Sequence, residues 1–409
     1  MNLWCELAWL GGDEPERGVL IGIEDGAITT VRAGADPGDA ERLDGLTIPG
    51  LANAHSHAFQ RALRGRTHSG TGSFWTWREQ MYALAETITP DAYLPLARAT
   101  FAEMALAGIT VVGEFHYLHG AGNAMAEAVI QAAGEVGIRL TLLDACYLRG
   151  GLDSFRDTSA HAWARRVGEL QDGELLRIGA AIHSVRAVDF ESAKVVAAWA
   201  ADRGAPLHAH VSEQPEENES CQQENGLTPT LTLAEAGAIS PSFTAVHATH
   251  LAPNDIAVLG FANVCLCPTT ERDLADGIGP ARQLREGGAK LCTGSDSQAF
   301  IDPFEEARAI ELDERLATGV RGNHTPAQLM EAATSGGYDS LGWPGGGRLA
   351  PGAPADLVNV SLDGITLAGT PPEHAVEATI FAAGPRDVRH VMVAGRWIVR
   401  NSDTVGTVP

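Results

Sequence analysis

From residue 46 to residue 297 the chain alternates short apolar runs with longer Ala- and Leu-rich stretches. Eight runs carry the pattern: LTIPGLANAHSH, ITVVGEF, LTLLDACY, IGAAIHSV, PLHAHVSE, FTAVHATH, VCLCPTT and KLCTGSDS. Apolar runs of strand length separated by helical segments predict parallel strands joined by helices. Eight such units predict an α/β fold, a closed (β/α)8 TIM barrel. Within each run the front is apolar, and a His, Glu, Asp or Arg arrives at or just past the end. In a barrel of this kind that end is the active-site face, so eight strands placing polar groups on one rim point to function more than to packing.

The chain ends read differently. Residues 1 to about 45 and 350 to 400 alternate short β-prone runs (GVLIGIEDG, AITTVRAG, ADLVNVSL, VRHVMVAGRWIV) with Gly and Asp turns. Both ends are expected to pair into one small β-sandwich domain, residues 1–47 with 350–409, leaving 48–349 for the barrel. No repeat of solenoid period and no low-complexity tract interrupts the chain.

Composition narrows the function classes. Apolar residues make up 44% and charged residues 20%, as in an ordinary soluble globular protein. A formal net charge of -23 argues against nucleic acid or an anionic membrane as partner, because either needs a clustered basic surface. No run reaches membrane-span length, and MNLWCELAWLGGDEPERG has no basic region ahead of its apolar stretch, so a cytoplasmic location is expected. Six cysteines without a CxxC (Cys5, Cys146, Cys221, Cys265, Cys267 and Cys292) read as buried small side chains in a reducing compartment.

Candidate chemistry gathers at the ends of the runs. His55 and His57 are two apart, so on a strand both point to the same side and could share a metal. The fifth run ends in His210 with Glu213 three residues on, the sixth carries His247, and the eighth ends in GSDS with Asp296. Imidazoles and one carboxylate are the ligands a catalytic divalent metal takes, with a position left for water. Each residue also has a plainer reading. Asp296 could cap a helix before SQAF, Glu213 could be a solvated loop residue, and a lone histidine is commonly structural. His208 is assigned to the core or to support behind the ligands, and His250 to the cap of the following helix. Taken jointly, the coincidences favour a metal site.

HSH after the first run, HVSE at the fifth, HATH at the sixth and GSD at the eighth together resemble the amidohydrolase superfamily, over nearly the whole chain. Many binuclear members bridge two metals with a carboxylated lysine at the end of the fourth strand. Here the fourth run ends in His183, and the only lysines, Lys194 and Lys290, lie elsewhere, so the resemblance implies a mononuclear, deaminase-type site. The strings HSHAFQRA, SFWTWREQMY, GEFHYLHG, HSVRAV and CPTTERDLADG resemble the formimidoylglutamate deiminase family of histidine degradation. That resemblance implies that His55, His57, His210 and Asp296 bind one divalent ion, Zn2+ or Fe2+, and that Glu213 and His247 assist the chemistry. It further implies that Gln60, Arg78, Tyr117, His183 and Arg186 hold a small dicarboxylate substrate, and that the chain forms a homodimer. Arg272 and Asp273 stand where smaller or uncharged residues are expected in that family.

The chemistry of such a substrate agrees. N-formimino-L-glutamate carries two carboxylates and an amidine-like head, so its site needs anion holders at one end and an activated water at the other. In so acidic a chain, local arginines must supply the attraction. Arg78 and Arg186 are candidates. Against them stand a surface charge on an aromatic packing helix (Trp75, Trp77, Tyr82) for Arg78 and a rim salt bridge for Arg186. The expected reaction is hydrolytic deamination to N-formyl-L-glutamate and ammonia, with Asp296 accepting a water proton, His247 orienting the tetrahedral centre and Glu213 carrying a proton to the departing nitrogen. The alternatives are an aminohydrolase acting on a nucleobase or triazine such as guanine, and a barrel that has lost its metal. A flat heterocycle does not call for two arginines, and a metal-free relative would lack ligands that are present here.

Overall fold

The computed structural model describes residues 1–68, 72–120 and 122–405. Eight parallel strands follow one another: β1 (Leu51–Ser56), β2 (Ile109–His116), β3 (Arg139–Cys146), β4 (Leu176–Ile182), β5 (Leu207–Val211), β6 (Phe243–His247), β7 (Asn263–Leu266) and β8 (Lys290–Thr293). Every residue of β2 and β3 is buried, because helices cover one face of a parallel strand and the barrel interior covers the other. Closure comes just beyond β8. The Asp296 N–H donates to the His55 carbonyl and the Asp296 carbonyl accepts from the His57 N–H, each at 3.0 Å.

One expected strand divides. The run LTIPGLANAHSH is not a single barrel strand: Glu41–Pro49 belongs to the sheet built from the chain ends, and β1 begins at Leu51. Both halves are buried, so hydrophobicity gives no sign of the change. Gly50 marks it instead, because a Cβ there would lie 2.1 Å from Thr110 Oγ1 as the chain crosses between layers.

The second sheet is mixed and also eight-stranded. Asn2–Ala8, Glu16–Glu24, Ala27–Arg32 and Glu41–Pro49 come from one end of the chain. Leu357–Val360, Val388–Val393, Arg396–Arg400 and Asp403–Thr404 come from the other. The halves meet where Leu357 lies antiparallel to Pro49 and Val360 to Leu46. Leu3, Cys5, Ile21, Leu43, Leu357 and Met392 pack a core belonging to this sheet alone. Residues 406–409 of the predicted C-terminal segment fall outside the described residues. Helix Ala375–Ala382 from that segment turns to the barrel, where Arg308 donates to the Phe381 carbonyl at 3.1 Å.

A buried ion pair fastens the sheet to the barrel. Arg139 at the start of β3 donates to both oxygens of Asp356, at 2.6 and 3.1 Å. The Tyr338 hydroxyl and the Ala394 N–H add two further bonds to that carboxylate, each at 2.7 Å. All six cysteines are buried and unpaired. Among the described residues no helix is long and apolar enough to cross a membrane.

Candidate active site

Strand ends bring the expected histidines together. His57 Nδ1 lies 2.8 Å from the Phe115 carbonyl and His210 Nδ1 2.8 Å from the His183 carbonyl. A carbonyl only accepts, so each Nδ1 carries the proton and each Nε2 turns a bare lone pair inward. His210 Nε2 is 3.2 Å from His55 Nε2. Asp296 Oδ1 is 3.3 Å from His55 Nε2 and 3.4 Å from His57 Nε2. Burial lowers the pKa of all three imidazoles, that of His55 to about 3, and at His210 the neighbouring histidines add to the effect. Burial alone would raise the pKa of Asp296, but the hydrogen bond and charge of His55, with the charges of His247 and His57, hold it well below the usual carboxylate range. Neutral imidazoles aiming lone pairs at one point beside an ionised carboxylate repel one another unless a cation lies between them. The set therefore fits a divalent ion.

His247 and Glu213 flank this group. His247 Nε2 stands 3.7 Å from Asp296 Oδ2 and 3.8 Å from Glu213 Oε1. Its Nδ1 faces Glu271 Oε1 at 3.4 Å, an oxygen that also accepts the Cys267 N–H at 2.9 Å. Burial disfavours the imidazolium, but Glu213, Glu271 and Asp296 outweigh it and push the His247 pKa up to about 10. Among the rim residues with left-handed backbones that are not glycine are Ser212 (φ 53°), His247 (φ 68°) and Asp296 (φ 47°). Such conformations cost on the order of 1–3 kcal/mol each and tend to gather at functional sites.

A cavity of about 230 Å³ opens over the donor group. His57, His210 and Asp296 form its floor with Glu213, and all five expected substrate contacts line it: Gln60, Arg78, Tyr117, His183 and Arg186. The Gln60 amide donates to the Tyr117 hydroxyl at 2.9 Å. Helix α1 (Phe74–Ala85) covers the mouth with Phe74, Trp77, Arg78, Met81 and Tyr82, a spacing that sets all five on one face. The α1 aromatics therefore do more than pack. Trp77 and Tyr82 are cavity walls, and Trp75 lies 4.4 Å from the Arg78 guanidinium, holding it by a cation–π contact. Arg186 lines the cavity and is salt-bridged there as well. It reaches the buried Glu213 at 3.0 Å and faces the buried Glu217 at 3.7 Å.

Several side chains take other places. His208 is core, bonded to the Ser340 carbonyl at 2.9 Å. His250 caps no helix: its ring lies 2.8 Å from the Asp276 carbonyl, while at the helix starting at Pro253 the Asp255 carboxylate accepts the Ala252 N–H. Asp296 begins no helix either. Arg272 pairs with Glu305 and Asp313, and Asp273 with His68, and neither lines the cavity. Lys194 pairs with Glu191 and Lys290 with Asp339, remote from the donors. Sequence reading missed Tyr147 and Arg149 as cavity walls, and Glu271 and Glu217 behind it. The only available signal was their nearness in sequence to residues already singled out. A second buried group, His116, His119 and Asp144, already has its cation, since Arg166 donates to both oxygens of Asp144 at 2.8 Å.

Residues 46–398 match the amidohydrolase family. The chain belongs to that family. Formimidoylglutamate deiminase of Pseudomonas aeruginosa is 36% identical, over 93% of this chain and 91% of that one. A 5-methylthioadenosine/S-adenosylhomocysteine deaminase of Halobacterium salinarum is 30% identical, over 95% and 89%. Among solved structures, an amidohydrolase from Brucella melitensis superposes with a TM-score of 0.89 at 31% identity, covering 98% of this chain and 95% of that one. This amidohydrolase is a deaminase of its superfamily, a hydrolase of carbon–nitrogen bonds.

Proposed function

We propose that this amidohydrolase converts N-formimino-L-glutamate and water to N-formyl-L-glutamate and ammonia, as in histidine degradation. One observation carries the reading: a single cavity has three of the proposed metal donors, His57, His210 and Asp296, on its floor and two guanidiniums, Arg78 and Arg186, on its wall. The deiminase relative at 36% identity supports it. Held by His55, His57, His210 and Asp296, a divalent ion would make a water acidic enough to attack at neutral pH. Imidazoles with one carboxylate suit Zn2+ first and also accept Fe2+.

The chain's own groups do the rest. The water oxygen bonds to the formimino carbon while Asp296 accepts one of its protons. The π electrons of the C=N bond settle on the terminal nitrogen. His247 faces the same point and stabilises the tetrahedral centre through its Nε2. Glu213 carries protons to the nitrogen, the C–N bond breaks, and ammonia leaves with both protons of the water. Arg78 and Arg186 hold the carboxylates and thereby fix which carbon lies over the floor.

Aromatic walls would also suit a flat heterocycle, but a purine offers the two guanidiniums no charge. Ammonia release from N-formimino-L-glutamate, N-formimino-L-aspartate, guanine and 5-methylthioadenosine decides between the readings. Turnover confined to the purines would overturn the proposal. The reading includes a cytoplasmic homodimer, to be checked by sedimentation of the purified enzyme and by cell fractionation.

A further inference from the structure

One guanidinium in the cavity serves two carboxylates. Arg186 Nη2 donates to Glu213 Oε2 at 3.0 Å, and Arg186 Nε lies 3.7 Å from Glu217 Oε2. Glu217 is buried, and neither of its oxygens has a hydrogen-bond partner among the described residues. Arg186 is therefore the charge that offsets it. Glu213 has only its other oxygen toward the reacting end, where Oε1 stands 3.8 Å from His247 Nε2. The residue that carries protons is thus tied to the residue that receives the substrate. A substrate carboxylate and Glu213 compete for one guanidinium fork, and a bidentate carboxylate makes full use of it.

We propose that the carboxylate of the substrate unlatches Glu213: on reaching Arg186 it draws the guanidinium from Oε2 and frees that oxygen to serve the departing nitrogen. Glu217 keeps Arg186 paired while the exchange takes place. This rests on the reading of the cavity as a dicarboxylate site. Selectivity then acts on turnover as well as on binding, because a formimino compound without a carboxylate leaves the latch closed. Binding energy from a remote group is in this way expressed at the reacting centre.

The experiment compares wild type, Arg186→Met and Glu213→Gln on N-formimino-L-glutamate and on formamidine, the second with and without added glutarate. Metal content and calorimetric glutarate binding are followed in parallel. For Arg186→Met, kcat/KM on N-formimino-L-glutamate should fall roughly 10- to 150-fold, the loss of one charge-assisted bond. On formamidine, turnover should rise about fivefold or more, since the bond released is an ion pair partly open to solvent. Glutarate should activate formamidine hydrolysis in wild type and leave both variants unaffected, with metal content the same throughout. Equal losses on both substrates in Arg186→Met, glutarate that binds wild type without activating it, or no formamidine turnover under any condition would overturn the latch. If wild type ignores N-formimino-L-glutamate while glutarate still activates formamidine, the substrate reading falls and the latch stands. The glutarate arm needs no variant, so a misfolded Arg186→Met does not spare the idea.

Discussion

Glu213→Gln separates proton transfer from shape. Glutamine has the same length, so its amide oxygen can accept from Arg186 Nη2 where Glu213 Oε2 does now, at 3.0 Å, while its NH2 faces His247. No proton can then pass. General acid–base assistance is worth about 10²- to 10⁴-fold in rate, or roughly 3 to 5.5 kcal/mol of barrier. The structure selects the upper half of that range. Among the described residues Glu213 and Asp296 are the carboxylates lining the cavity, and Asp296 is taken up with the donors and the water proton, so delivery to the departing nitrogen rests on Glu213. The expected loss in kcat is about 10³- to 10⁴-fold. KM should hold or fall slightly, since a neutral amide competes less strongly than a carboxylate for Arg186. Initial rates of ammonia release at saturating substrate, with metal per subunit measured alongside, provide the assay. A loss under about tenfold with metal retained would place proton transfer on another group. Loss of the metal would place Glu213 among its ligands.

Three further outcomes are expected. His210→Ala and Asp296→Asn should each lose bound metal by elemental analysis, and chelation of wild type should lower its melting temperature, because the ion binds only the folded chain. Asp356→Ala leaves Arg139 buried without its partner and should destabilise by about 3–5 kcal/mol, roughly 4–6 °C in Tm for a chain of this length, with kcat per folded molecule unchanged. Gly294→Ala would place a Cβ 2.7 Å from His55 Cβ and 2.9 Å from the His55 carbonyl. It should cost metal affinity together with stability; a variant that binds metal as wild type does would refute that link.

The barrel was legible because its strands are buried on both faces and its helices are not, so run length and spacing carry the fold. Run length failed where two sheets share one apolar stretch: the passage from Pro49 through Gly50 to Leu51 changes partners without changing polarity. The donors were legible because imidazoles at four strand ends are costly to bury for packing alone, and His55, His57, His210 and Asp296 do converge. His250 misled because a histidine past a strand end reads as a cap, whereas the loop at Asp276 comes from far along the chain to meet it. Glu271 and Glu217 were illegible for a related reason. Each lies in the first turn of a short helix that follows a strand end, and nothing in the sequence marks that turn as facing inward.

Closure of the barrel and assembly of the site are the same event. Two backbone hydrogen bonds that join the end of the last strand to the first are made by Asp296 with His55 and His57, three of the four proposed metal donors. Those bonds help hold the left-handed backbone at Asp296, a conformation that carries some cost for any residue but glycine. The carboxylate therefore reaches the imidazoles only after the chain from β1 to β8 has come full circle. Metal affinity should then report on closure: any substitution that loosens β1 against β8 weakens the ion even when it touches no ligand. A change confined to the sheet of the chain ends, beyond the Arg139–Asp356 pair, should leave the ion alone.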